Sequence, residues 1–516
     1  MSPYSRLFVL IQLMFACTWC DVALAQSVDP GPGLLDPRLI YASDVERAAA
    51  AANQSTFNTL DATCNPGGQL DGVAAPGDAL RPEGCSTVQF FVYLTTRELV
   101  HSANALLGEG PTAASLDVDQ RGLGTALRWT AAEELAVQGS MATQFTNNQL
   151  ASLAARLSAL RSGATGFAVA NTYGLPPSWG DSSLAGLAFN DNSSGGQNTL
   201  SPWGGFLNVA IGTGDKQPTG NENAFDFDNR ELTLGIDYRL TSSLVVGAMI
   251  GYSDQSIEFV PDANRISVVD GDMESNGNSA FVFGLLNTDR YFVSVSGGRQ
   301  QLDYTLNRDI RYPSFNPAVA ASNSRASSEP QADIVAGTLD AGMTFSRGAV
   351  TFEPYLGAEY LDVTIDSFAE DRSVSLLSGL IDTDAFNLVV DEQTFQSLDA
   401  TLGARLTYAF TPNWGVALPY VSVEYHREFK DQSRSIRARY AGAGDDSFAF
   451  VVPTDPFDSD FFVWSVGLSS VIRGARQQRF DDSVSGGISA YLQYQAVEDL
   501  EFFDERTISA GLRYEF

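Results

Sequence analysis

Positive charge is scarce in this sequence. Its 516 residues hold 31 Lys+Arg against 62 Asp+Glu, a formal charge of −31, and only Lys216 and Lys430 are lysines. Such a chain lacks the cationic face that displaces counterions from phosphates, which excludes nucleic-acid binding. It also lacks the polybasic cluster that fastens proteins to anionic lipid. Long apolar runs are missing too. Beyond the N-terminus no stretch reaches the ~18 residues of a membrane-spanning helix, so a helical inner-membrane fold is excluded. Histidine is confined to His101 and His426, and once Cys17 and Cys20 are assigned to a cleaved leader the two remaining cysteines are too few for a zinc site. No G-x-S-x-G, Walker loop or H-E-x-x-H block occurs. The expectation is a non-enzymatic protein with no metal and no cofactor.

What is present begins with a processing segment. Arg6 precedes an apolar stretch from Leu7 to Phe15, interrupted by Gln12, and Ala23-Leu24-Ala25 supplies small residues for cleavage before Gln26. Residues 1–25 therefore read as a signal peptide, and Cys17 and Cys20 leave with it. Cys64 and Cys85 remain in an oxidising compartment, where an even pair is expected to bridge.

Residues 26–130 then read as a helical region, and 131–201 as a longer helix followed by a linker. Ser43-Asp44-Val45-Glu46, Ser86-Thr87-Val88-Gln89 and Thr130-Ala131-Ala132-Glu133 all have capping-box spacing. They predict helices over 43–62, 86–107 and 131–161. The cysteine bridge would staple the first two into a hairpin. In the third, Leu150, Leu153, Leu157 and Leu160 recur at helical spacing, and its length of roughly 46 Å matches a bilayer. Asn147-Asn148 on this helix reads as a pair of surface amides. Residues 164–201, with Pro176-Pro177 and an Asn/Ser/Gly-rich run, read as linker.

From Trp203 the hydrophobic period becomes two. Leu398, Ala400, Leu402, Ala404, Leu406, Tyr408 and Phe410 alternate with polar and small residues, as do Ile508, Ala510, Leu512, Tyr514 and Phe516. Alternation fits a soluble sandwich and an outer-membrane barrel equally. Connection lengths separate them. Twelve strands are predicted over 202–516, joined by connections that run long, short, long, short: tight turns such as Thr241-Ser242 and Asn287-Thr288-Asp289 alternate with stretches such as 305–332 and 429–459. This is the loop sorting of bacterial outer-membrane barrels. The predicted fold is an all-β transmembrane barrel of twelve antiparallel strands preceded by an α-helical region, in the outer membrane of a Gram-negative bacterium. The face opposite the apolar one carries Asp237, Arg239, Asp340, Glu359, Asp399, Arg405, Glu424, His426, Arg513 and Glu515. These are the candidate lumen residues, and their mixed signs predict ion pairs around an occupant.

These strands resemble the β-domain of autotransporters, the type V secretion proteins. Leu232–Leu240 with Ser243–Tyr252 resembles that family's second and third strands, Pro354-Tyr355 through Phe368-Ala369-Glu370 its seventh, and Pro419–Phe429 its "P…W.H.F" strand with Tyr425 in place of Trp. Arg156-Leu157-Ser158-Ala159-Leu160-Arg161 resembles the R-L-x-x-L-R helix that occupies the family's pore. Gly511–Phe516 resembles its terminal strand, so Leu512, Tyr514 and Phe516 take the place of the assembly signal. The resemblance implies a translocator or anchor barrel that reaches its place through the Sec translocon and the barrel-assembly machinery. Its surroundings would be outer-membrane lipid and lipopolysaccharide, and it would be a monomer. The alternative is a small-solute channel, structural surface protein or adhesin that exports no passenger. The family's usual large repeat-rich passenger is replaced here by residues 26–201. Gly180-Asp181-Ser182-Ser183-Leu184 is close to the G-D-S-L block of autotransporter esterases, but no hydrolase domain has room around it and no histidine follows at the required spacing.

Overall fold

A computed structural model describes residues 33–161, 202–260, 270–375, 385–412, 415–444, 450–473, 476–477, 484–485 and 488–515. The signal peptide, the G-D-S-L-like block, the linker over 164–201 and Phe516 lie outside the described residues.

Four helices precede the strands: α1 (Asp44–Cys64), α2 (Thr87–Leu107), α3 (Gln120–Ala131) and α4 (Val137–Arg161). Ser43 caps α1 by accepting from the Glu46 N–H, and Ser86 with Gln89 forms the full reciprocal capping box on α2. Cys64 and Cys85 are joined, tying the last residue of α1 to the approach of α2. Leu34, Phe90, Leu99, Leu123 and Leu127 form the buried centre of this region. A bridge with a sequence separation of 21 restrains the unfolded chain by about 3 kcal/mol. Cys64→Ser/Cys85→Ser should therefore lower the temperature at which the helical region becomes protease-sensitive, while the barrel's heat-modifiable gel mobility stays put. An unchanged helical transition would show that packing alone holds the hairpin.

The third predicted helix is corrected at its start. Thr130 does not cap it: its hydroxyl bonds to the Leu127 carbonyl inside α3, which is itself capped by Asp119. Ala132 then adopts a left-handed conformation, a short 3-10 turn covers Glu133–Ala136, and α4 begins only at Val137. The physical reason is Glu133. Its buried carboxylate pairs with Arg128 of α3, five residues back, instead of turning to an N-cap.

Twelve long strands follow: β1 (Trp203–Lys216), β2 (Phe225–Arg239), β3 (Leu244–Phe259), β4 (Gly271–Asn287), β5 (Tyr291–Tyr312), β6 (Gln331–Met343), β7 (Val350–Ile365), β8 (Gln393–Tyr408), β9 (Val416–Glu428), β10 (Asp460–Arg473), β11 (Ile488–Glu498) and β12 (Phe503–Glu515). Each pairs antiparallel with its sequence neighbour, and β12 pairs with β1 through Leu207↔Leu512 and Gly205↔Tyr514, closing the barrel. The side-chain polarity is that of a wall in lipid. Leu207, Val209 and Ile211 on β1, Leu232, Leu234 and Ile236 on β2, and Leu398, Leu402 and Leu406 on β8 are exposed. Asn208, Thr233, Asp237, Ser294, Gln300 and Arg405 are buried on the other face.

The strands β2 to β5 run further than the hydropathy pattern predicts, β2 from Phe225 instead of 231 and β5 past 304 to Tyr312. Their extensions put Asp226, Asp228, Glu258 and Glu274 outward, in water beyond the lipid, so the apolar period fades while the hydrogen-bond ladder continues. Short turns at 240–243, 288–290 and 344–349 mark one end of the barrel; 313–330, 366–392 and 429–459 mark the other. The sorting lapses at the close, where 474–487, on the short-turn side, is longer than 499–502 on the other. Segments of two long loops, Phe368–Ala369 and Leu388–Val390, Ser435–Tyr440 and Phe450–Pro453, build a four-stranded sheet that no sequence pattern announced. Helix α1 rests on it and α2 on the adjoining turn Ala441–Ala443, with the Tyr440 hydroxyl donating to Asn53 Oδ1 at 2.9 Å.

Candidate functional site: the lumen face and helix α4

Helix α4 packs against the buried faces of β2 through β7. Its start lies at the long-loop end, where the Tyr304 hydroxyl donates to the Gln138 carbonyl at 3.0 Å and Gln393 donates to the Gln138 side chain at 3.2 Å. Its last residue, Arg161, lies at the short-turn end, 3.9 Å from Glu353 and with its guanidinium 4.0 Å from the Phe292 ring centre. The sequence of α4 suits a polar enclosure with an aromatic floor. Ser279 Oγ donates to Gln149 Oε1 at 2.9 Å, Asn208 donates to the Ser152 carbonyl at 3.4 Å, and Asn147, its amide turned to donate, reaches Glu359 at 3.2 Å. Leu150, Leu153, Leu157 and Leu160 are buried in the same hydrophobic cluster as the inward rings Phe206, Phe227, Phe281, Phe283 and Phe292. Those rings were missed by sequence reasoning, since an apolar residue on both faces of β4 blurs its period. Several lie over a neighbouring strand's glycine: an added Cβ at Gly235 would meet Phe206 at 2.1 Å, and one at Gly403 would meet Tyr355 at 2.3 Å.

The candidate lumen residues fall into two groups. Asp237 of β2 accepts from Arg156 of α4 at 2.5 Å and from Arg513 of β12 at 3.1 Å, and all three are buried. The Arg156 guanidinium also lies 5.1 Å from the Phe206 ring centre. Arg239 shares the inward parity of Asp237 and is half-buried. On the opposite wall, a cavity of about 870 Å³ separates α4 from β8 through β12. Asp340, Glu359, Asp399, Arg405 and Glu424 line it. Ser294 donates to Asp340 at 3.1 Å, and His426 sits between Asp399 (2.8 Å) and Glu424 (3.3 Å). Tyr355 donates to Glu424, and the Arg405 guanidinium stacks 3.6 Å over Tyr420. Leu512 and Tyr514 point outward from β12 and are exposed. Among the described residues no group of His, Cys, Asp and Glu is placed to hold a metal ion.

A second polar cluster joins α3 and α4 to the barrel's long-loop end. Arg308, at the far end of β5, donates to both oxygens of Glu370 at 2.9 and 2.7 Å, to the Phe386 carbonyl at 2.9 Å and to the Trp129 carbonyl at 3.4 Å. Glu370 in turn accepts from the Leu388 N–H at 2.8 Å. Glu134, fully buried between α3 and α4, makes no hydrogen bond through its carboxyl oxygens, and burial pushes it up to about 8 despite the nearby Arg308. It is therefore held largely uncharged at neutral pH. Nothing in the sequence links Arg308, Glu370 and Trp129, because they come from separate segments with no shared motif.

The sequence matches the family model described as "Autotransporter beta-domain" over residues 205–475. No curated protein matches the chain. Among solved structures it is similar to the translocator domain of the autotransporter NalP from Neisseria meningitidis, at 12% identity and TM-score 0.42, covering 62% of this chain and 90% of that one. It is also similar to the transport unit of the autotransporter AIDA-I from Escherichia coli, at 13% identity and TM-score 0.39, covering 68% and 97%. A third is the β-domain of the Bordetella autotransporter BrkA, at 15% identity and TM-score 0.38, covering 61% and 99%.

Proposed function

Because the chain belongs to the autotransporter β-domain family, we propose that its barrel is an outer-membrane translocator that keeps a short passenger, residues 26–130, seated on its outer mouth while α4 plugs the lumen. One observation carries the reading. The last residue of α4 lies at the short-turn end, where β1 begins at Trp203, and its start lies at the long-loop end beside α1–α3. A chain that enters the membrane from the short-turn side, returns through the lumen and ends outside gives that order. The passenger is retained, because α1 rests on the loop sheet, α2 on the turn beside it, and Arg308 bonds α3 through the Trp129 carbonyl. Sec export, the barrel-assembly machinery, lipopolysaccharide around the wall and a monomeric state belong to this reading.

An epitope tag beside Ser27 tests the first half: on intact cells it should be reachable by antibody and removed by added protease. A tag reached only after the outer membrane is permeabilised would overturn it. The second half predicts that removing residues 137–161 raises single-channel conductance in planar bilayers. A helix-deleted barrel conducting no better than the full chain would mean that α4 blocks nothing. The cavity of about 870 Å³ beside α4 favours a second reading in which small solutes pass with the helix in place.

A further inference from the structure

We infer that the cavity beside α4 is a binding site for a linear organic polycation of the polyamine type, entered through a side opening in the wall between the outer ends of β8 and β9. The inference rests on α4 occupying the lumen, as proposed above.

The opening follows from strand register. On one edge β8 pairs with β7 from Gln393 to Tyr408, but on the other it meets β9 only from Asp399 to Thr407. β9 stops at Glu428; the last main-chain bond between the two runs from the Phe429 N–H to the Leu398 carbonyl, and the Leu398 N–H and Ser397 hydroxyl donate to the Glu428 carboxylate. Above them the cavity is lined both by Phe395 and Ser397, which face inward, and by Thr394 and Gln396, which face outward. It therefore crosses the wall there. Lys430 bridges the opening to Gln396, and its ammonium lies 5.6 Å from the Tyr360 ring centre. The outward side chains change from Leu398 and Tyr360 to Gln396 and Asp362 at this level, so the opening sits at the edge of the lipid band and faces water.

The charge inside calls for a spaced cation. Glu359, Asp399 and Glu428 stand directly opposite one another across β7, β8 and β9 on the inward face. Like charges so placed repel. Asp340 and Glu424 lie below them, and of the basic side chains that line the cavity only His426 sits among these carboxylates. Arg405 lies over Tyr420, Arg434 over Phe395, Arg161 beside Glu353, Lys430 at the opening and Lys216 between Glu222 and Asp455. Among the described residues no Lys or Arg lies within ion-pair distance of Asp340, Glu359 or Asp399. Asp399 is 9% exposed, and its Oδ2 has no hydrogen-bond partner. A row of carboxylates roughly 4.8 Å apart does not converge on a point, and no metal-holding group is formed among the described residues. It matches ammonium groups separated by short alkyl chains. The alkyl segments would lie against Tyr355 and against the faces of Phe395 and Phe461 that Arg434 and His426 do not cover. The volume suits a ligand of that size.

The test uses the purified full-length protein and spermidine as probe, by calorimetry and by current through planar bilayers. Saturable binding is expected, with spermidine reducing the current. Glu359→Gln/Asp399→Asn should weaken binding by roughly tenfold or more while retaining heat-modifiable mobility. Asp391→Asn, in an exposed loop, should leave binding unchanged. Magnesium at matched ionic strength should neither block nor displace the probe. Absence of saturable binding overturns the site, and so does equal binding by Glu359→Gln/Asp399→Asn, which would reveal surface charge alone. A full chain that gains conductance on helix deletion yet binds no spermidine sinks the site and leaves the plug standing. If helix deletion changes nothing, the plug fails instead.

Discussion

Asp237→Ala should destabilise the folded protein by about 3–5 kcal/mol, the range seen when a buried ion pair loses one partner. Asp237 accepts from both Arg156 of α4 and Arg513 of β12, and all three side chains are buried. Removing it takes from both buried guanidiniums the carboxylate they share, and one of them lies over Phe206. The compact, heat-modifiable form should be lost at a clearly lower temperature, and conductance should rise as α4 loses its hold. Asp237→Asn should cost less, because its amide oxygen still accepts from one arginine. A transition temperature unmoved by Asp237→Ala would mean that water reaches both guanidiniums and screens them, and the lumen at that level would be wet.

Deleting residues 512–516 should all but abolish assembly. These residues include Leu512 and Tyr514, which pair with Leu207 and Gly205 of β1 and with Ala490 and Ile488 of β11. Without them the short-turn half of the seam has open edges, and each unpaired backbone group in hydrocarbon costs several kcal/mol. The loss also removes the exposed Leu512 and Tyr514 from the lipid face, the residues that resemble the family's assembly signal. The expected result is degradation and an outer-membrane fraction nearly empty of the protein. Normal amounts of a heat-modifiable truncated barrel would show that closure needs only residues 503–511 of β12.

The barrel was readable because it rests on local rules. Alternation along Leu398–Tyr408 and the sorted connection lengths depend only on neighbours in sequence, and they predict the strand count and closure. The caps at Ser43 and Ser86 are local as well. Thr130 misled because its capping-box partner, Glu133, is claimed by Arg128, a competition that spacing cannot weigh. The inward rings of β4 and the loop sheet were invisible for another reason. Phe281 and Phe283 are placed by glycines on neighbouring strands, and Leu388–Val390 finds its partner in Ser435–Tyr440 only once the barrel brings the two loops together. For the lumen residues, parity along the strand assigned a face, but which acid meets which base is set by barrel register and by the course of α4.

The seat of the helical region has a kinetic consequence. Asn53 and Tyr440 are 387 positions apart, and Arg308 must meet Glu370 and Trp129 from two further segments. Closing loops of that length costs entropy before any contact repays it, so contacts of this kind form late and slowly. Most strand ladders join sequence neighbours and have no such delay, but the seam that pairs Leu207 of β1 with Leu512 of β12 does. Ring closure and the seating of the helices therefore both wait on distant segments meeting, while the hairpins between neighbouring strands do not. The last stage of folding is set by how quickly the two ends of the barrel and the long loops find their partners, and not by the speed of hairpin pairing.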